Sequence, residues 1–146
     1  LKIIRISSKK PIIKNEKGIN FPDTNLLIPS LTEHDKNCLP FVTRFADMVG
    51  YSFVRTVADV EALRSLLKNE RKIAIIMKIE TPDAVKNLPD LLFAGLLDEF
   101  AGIMIARGDL AVEIGFERMS EVQEEILWIC EAAHMPVIWA TQVLET

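Results

Sequence analysis

The chain has 146 residues, a formal net charge of −4, 49% hydrophobic residues and 26% charged residues. That is one domain's length with ample apolar content for a core, which excludes a mainly disordered chain. The mild acidity is not the basic footprint of a nucleic-acid-binding domain, and no apolar run reaches the roughly 18 residues of a membrane helix.

The sequence begins at Leu1 and opens with no basic-then-apolar leader, so we expect a piece of a longer polypeptide. Two cysteines, Cys38 and Cys130, stand far apart in no metal-like spacing. Reduced thiols in a cytoplasmic protein are the default reading. Residues 1–22 carry six of the basic residues (Lys2, Arg5, Lys9, Lys10, Lys14 and Lys17), with short β-type runs such as Ile3-Ile4 and Ile12-Ile13. Gly18, Pro22 and Pro29 punctuate the stretch, which reads as one or two short strands and a connector.

From residue 31 helices alternate with apolar strands. Thr32 caps a helix that runs to about Phe45, with Asp35 placing negative charge in its first turn. Asp47 to Tyr51 reads as a short buried strand. Val57 to Lys68 is amphipathic, with Val60, Leu63, Leu66 and Leu67 at helical spacing. Ile73 to Met77 is an unbroken apolar strand. Thr81 and Pro82 open a helix expected over 82–98. Gly102 to Ala106 is the next strand, Glu117 to Ala133 the next helix, and Pro136 to Ala140 the last strand. Thr141 to Thr146 begins a further element.

Unbroken apolar strands separated by helices indicate a parallel sheet covered by helices. Strands near residues 48, 75, 104 and 138 give the βα rhythm of a (β/α) barrel or a doubly wound sheet. No glycine-rich dinucleotide fingerprint or P-loop follows any strand, which lowers the nucleotide-binding doubly wound reading.

In such folds chemistry sits at the carboxyl ends of the strands. The four ends present Ser52 and Arg55; Lys78, Ile79 and Glu80; Arg107, Gly108 and Asp109; and Thr141 with Gln142. Lys78 and Glu80 are two apart on an extended segment, so both side chains share one face. Glu80 and Asp109, on adjacent strand ends, are placed to share one ion. Two carboxylates without neighbouring His or Cys favour Mg²⁺ or Mn²⁺ over Zn²⁺. Gly108 lacks a Cβ, so its backbone N–H can approach an anion. Thr141 adds a hydroxyl.

Each of these residues alone is as compatible with a solvated rim ion pair or a turn; their recurrence on successive strand ends makes the case for chemistry. The remaining candidates read as structure. His34 lies in a first helical turn and His134 near a helix end. Met77, Met104, Trp128 and Trp139 read as core, and Glu121, Glu124, Glu125 and Glu131 as a solvated helix face. Cys130 reads as buried and inert.

These residues resemble pyruvate kinase. Ile75-Ile76-Met77-Lys78-Ile79-Glu80 is similar to that family's lysine-containing strand, and the run from Ile103 to Glu113 to its "MVARGDLGVE" segment. The run from Pro136 to Thr146 resembles "PVICATQMLES", Lys17 to Pro22 resembles "KGVNLP", and Ser52 to Arg55 resembles "SFVR". Five segments in the family's order span nearly the whole chain.

The resemblance implies α/β architecture: a partial TIM (β/α)8 barrel of about four parallel βα units over 16–146, preceded by the end of an inserted small β domain over 1–15. It implies transfer of the phosphoryl group of phosphoenolpyruvate to ADP, then protonation of the enolate to pyruvate. Glu80 and Asp109 would be ligands of Mg²⁺ or Mn²⁺, and Lys78 would stabilise the transferring phosphoryl group. Backbone N–H groups at Gly108 and Asp109 would hold the substrate carboxylate. Thr141 would stand near the proton-donation step, and Lys17 would face nucleotide phosphates. K⁺ belongs to the complete enzyme.

Departures from the family pattern are Met77 before the lysine, Ala84 and Ala111 in place of glycines, a longer stretch from Leu91 to Ala101, and Trp139 and Val143 around Ala140-Thr141-Gln142. The family's first three strands, its eighth strand and its regulatory C-terminal domain have no counterpart in the sequence. A half-barrel leaves sheet edges open, so we expect an excerpt of a longer enzyme or a homo-oligomer. Two other functions compete: a metal-dependent aldolase acting through a pyruvate enolate, against which Lys17 argues, and a non-catalytic scaffold.

Overall fold

The computed structural model describes residues 24, 28–67, 72–97 and 100–141. The expected domain boundary near residue 15, and Lys17, lie outside the described residues.

Helix α1 (Glu33–Phe45) starts where Thr32 and Asp35 close a reciprocal capping box: the Asp35 N–H donates to the Thr32 hydroxyl, and the Thr32 N–H donates to the Asp35 carboxylate at 2.8 Å. These bonds favour the ionised carboxylate and hold the Asp35 carboxyl below its ordinary range. Strand β1 (Met48–Tyr51) leads to α2 (Val57–Leu67), whose first turn is closed by Thr56 and Asp59 in the same way. Strand β2 (Ala74–Ile79) follows.

The single helix expected over 82–98 is two: α3 (Pro82–Lys86), capped by Thr81, and α4 (Leu88–Leu96). Pro89 has no N–H to continue the helical ladder and disfavours helical backbone at the residue before it, so the helix restarts at Asn87. The freed Asn87 side chain donates to the Arg55 carbonyl at 2.9 Å, tying the break to the loop after β1.

Strand β3 (Ala101–Ala106) runs straight into α5 (Arg107–Ile114), where the sequence suggested a turn. A 3₁₀ turn (Phe116–Arg118) and α6 (Met119–Ala132) replace the helix expected from Glu117, and β4 (Val137–Ala140) ends the described chain.

The four strands form one parallel sheet in the order β1-β2-β3-β4. That is the α/β arrangement of a partial TIM barrel. Period-2 alternation sorts its two faces. Ile75, Met77, Ile79, Ile103 and Ile105 join Val60, Leu63, Leu88, Leu91, Leu110, Ile126 and Cys130 in the core between sheet and helices. A Cβ on Gly95 of α4 would strike Met77, which fixes that face as the helix side. On the other face a Cβ on Gly50 would meet the Lys78 stem, and one on Gly102 would press on Ile76. Burial pushes the Cys130 thiol up to about 11, as expected of an inert core sulfur.

Two expectations about burial fail at the sheet's margins. β1 is not a buried strand, because among the described residues it pairs only with β2; Met48 is 57% exposed and Tyr51 alone is buried. Trp139 on β4 and Trp128 on α6 are exposed rather than core.

Candidate active site

Parallel strands bring all their carboxyl ends to one rim. There the loop after β1, the end of β2, the β3–α5 junction and the end of β4 stand in sheet order.

The β2 end carries the charge. Lys78 and Glu80 share a face, and Lys78 Nζ lies 2.6 Å from Glu80 Oε1. Glu80 is 1% exposed, whereas the Lys78 side chain keeps 25% of its surface open. A buried carboxylate must be hydrogen-bonded as well as paired. The second oxygen, Oε2, accepts from the Phe53 backbone N–H at 2.6 Å. Lys78 Nζ also donates to Ser52 Oγ at 2.8 Å.

Both contacts come from the loop after β1, where Phe53 adopts a left-handed φ of 53°. That conformation is disfavoured for a side chain of this size, so neighbouring contacts must hold it. The Phe53 carbonyl accepts from Ser30 Oγ at 2.7 Å on the other side. Arg55 donates from its backbone N–H to Asp59 and from its guanidinium to the Ile28 carbonyl, anchoring the rest of the loop.

The β3 side is built differently. Asp109 is not at a strand end as expected: β3 stops at Ala106 and Asp109 lies in the first turn of α5, exposed. This places Gly108 and Asp109 where a helix presents backbone N–H groups and the positive end of its dipole. The Gly108 N–H donates to Thr141 Oγ1 at 3.3 Å, joining the β3 and β4 ends. Thr141 has a φ of 63°, a conformation costly for a β-branched residue.

The rim thus brings together Lys78 with Glu80, and Gly108 with Thr141. Among the described residues no cluster of three or more His, Cys, Asp and Glu side chains is placed to hold a metal ion. By donor chemistry the carboxylates of Glu80 and Asp109 suit Mg²⁺ or Mn²⁺ completed by water and substrate oxygens, while in this structure both Glu80 oxygens are engaged by Lys78 and the Phe53 N–H. It does not fit a closed all-protein cage. Sequence reasoning missed the Phe53 N–H, since a backbone donor has no side-chain signature. Ser52 was visible as a strand-end residue, but its bond to Lys78 was not.

Comparison with known proteins gives the arrangement its relatives. The family model described as the barrel domain of pyruvate kinase matches residues 3–146. The chain is 41% identical over 136 residues to a protein of Hypocrea jecorina named pyruvate kinase, covering 92% of this chain and 24% of that protein. It is 40% identical over 137 residues to the pyruvate kinase of Bacillus licheniformis, covering 92% and 23% respectively. Against that of Kluyveromyces lactis it is 40% identical over 148 residues, covering 100% of this chain and 28% of the relative. The chain therefore spans about a quarter of the length of these curated relatives.

Proposed function

Because the chain belongs to the pyruvate kinase family and carries part of its barrel domain, we propose that its rim serves phosphoryl transfer from phosphoenolpyruvate to ADP. The products are pyruvate and ATP, and the setting is the whole polypeptide in the cytoplasm, as a step of glycolysis. The observation that carries this reading is the Lys78–Glu80 pair, 2.6 Å apart at the β2 end. It sits one strand away from the N-terminus of α5.

Phosphoryl transfer asks a protein for positioning and positive charge more than for covalent participation. The Lys78 ammonium neutralises charge spreading over the transferring phosphoryl oxygens. The backbone N–H groups of Gly108 and Asp109, at the positive end of α5, hold the substrate carboxylate. When the carboxylate occupies that place it replaces the long Thr141 contact as acceptor, leaving the Thr141 hydroxyl beside the enolate carbon that takes up a proton. Glu80 and Asp109 would hold Mg²⁺ or Mn²⁺, which would supply Lewis-acid neutralisation of negative charge. By the family resemblance Lys17 is assigned to the nucleotide phosphates, K⁺ serves the complete enzyme, and the assembled protein is a homo-oligomer.

The test is pyruvate formation from phosphoenolpyruvate and ADP with Mg²⁺ by the whole polypeptide, wild type against Lys78→Met. Loss of about a hundredfold or more in kcat is expected when a positioned charge-stabilising group is removed. Turnover at the wild-type rate by Lys78→Met would contradict the assignment. Pyruvate release from a 4-hydroxy-2-oxo acid, with no phosphoryl transfer, would instead identify an aldolase.

A further inference from the structure

A lysine ammonium on a four-carbon stem has three N–H donors and free rotation, so its direction is set only by what its donors meet. In this site two of the three are engaged, one by Glu80 Oε1 at 2.6 Å and one by Ser52 Oγ at 2.8 Å. In a tetrahedral ammonium, fixing two N–H vectors fixes the third. The stem runs past Gly50 of β1, where an added Cβ would stand 3.7 Å from its Cδ, in ordinary van der Waals contact.

We propose that Ser52 is a positioning residue for Lys78, aiming the remaining ammonium proton at the transferring phosphoryl group. The inference rests on the phosphoryl-transfer reading above. Three features set Ser52 apart from a rim serine that happens to be near. Its hydroxyl bonds the ammonium directly, across 26 residues of sequence. The next residue, Phe53, donates its N–H to Glu80, so one two-residue step grips both members of the charge pair. That step is held from outside by Ser30 and Asn87, which bond the carbonyls of Phe53 and Arg55. The loop after β1 is therefore a brace for the β2 end, and Ser52 supplies the hydroxyl that meets the ammonium, while the Thr56 hydroxyl is turned to Asp59.

The direct readout is the Lys78 ammonium itself, observed by NMR in the whole polypeptide labelled with ¹⁵N-lysine and assigned by its loss in Lys78→Arg. An ammonium held by two partners exchanges its protons slowly and gives a resolved signal. Wild type and Ser52→Thr, which keeps a hydroxyl, are expected to show it; Ser52→Ala is expected to lose it. With phosphoenolpyruvate and ADP, Ser52→Ala is expected to lower kcat about tenfold with KM for ADP within about twofold, and Ser52→Thr to restore most of the rate. A purely structural role would not produce this split or this rescue.

A Lys78 signal unchanged in Ser52→Ala overturns the inference, as does a kcat equal to wild type. So does loss of the signal from a folded Ser52→Thr protein. Absence of turnover in wild type, with the ammonium signal still lost on Ser52→Ala and kept on Ser52→Thr, would reject the phosphoryl-transfer reading while upholding the grip of Ser52 on Lys78.

Discussion

The two halves of the rim are held in opposite ways. On the β1–β2 half, Glu80 is buried and both of its oxygens are engaged within 2.6 Å, by Lys78 and by the Phe53 N–H. On the β3–β4 half, Asp109 is exposed, and a long 3.3 Å bond from the Gly108 N–H to Thr141 joins the strand ends. The Lys78–Glu80 pair is braced by protein, whereas Asp109 at the start of α5 stays open to solvent. Strained backbone stands on both halves, at Phe53 and at Thr141. Such strain persists only where surrounding contacts over-determine it.

The largest effect should come from breaking the braced half. Glu80→Ala strips the partner from Lys78 and from the Phe53 N–H at a buried position, and should destabilise the fold by about 2 kcal/mol, less than a fully buried pair because Lys78 is partly solvated. Asp109→Ala should cost under about 0.5 kcal/mol, as for an exposed substitution. Denaturant unfolding of the two variants side by side measures the contrast; equal losses would dissolve it.

The next effect sharpens the contrast by giving it a reference away from the rim. Thr32→Ala removes the α1 cap and should cost about 1 kcal/mol. The loss should fall between the two rim variants in the same unfolding experiment.

A smaller effect is pH-dependent. The Asp35 carboxyl is held below its ordinary value of 3.8 by its bonds to Thr32. A carboxyl with a depressed folded-state value stabilises the fold above the unfolded value and loses that contribution as pH falls through the folded one. Asp35→Asn should therefore narrow the stability gap between pH 5 and pH 3 (both chosen to straddle 3.8) relative to wild type, by a small margin because the group is exposed. Thermal melts at the two pH values check the sign.

The smallest perturbation probes the core behind the rim. A thiol reagent at neutral pH should label exposed Cys38 and leave Cys130 intact, since burial holds the Cys130 thiol near 11. Labelling of Cys130 at the same rate would mean that the helix layer opens readily.

Most of the fold was legible because its signals are local. Runs of strand length pointed to the four strands found among the described residues, and Thr32 with Asp35 pointed to a helix start that the capping box bears out. What was not legible depends on neighbours. Gly108 in Arg107-Gly108-Asp109 suggests a turn, yet the segment winds into α5 directly from β3. Trp128 and Trp139 look like core by type, but exposure depends on what packs beside them. The same division runs through the site. Lys78 and Glu80 were placed on one face by spacing alone. The Phe53 N–H that secures Glu80 came only from the path of the backbone.

The central claim is that Glu80 and its neighbours form a metal-dependent pyruvate-enolate site. Its most direct test is calorimetric titration of the whole polypeptide with Mn²⁺ and oxalate, a mimic of the enolate, beside Glu80→Gln. The account predicts oxalate binding that requires Mn²⁺ in wild type and disappears in Glu80→Gln while the variant stays folded. Oxalate binding that survives in Glu80→Gln, or none at all by a folded wild type, would contradict it.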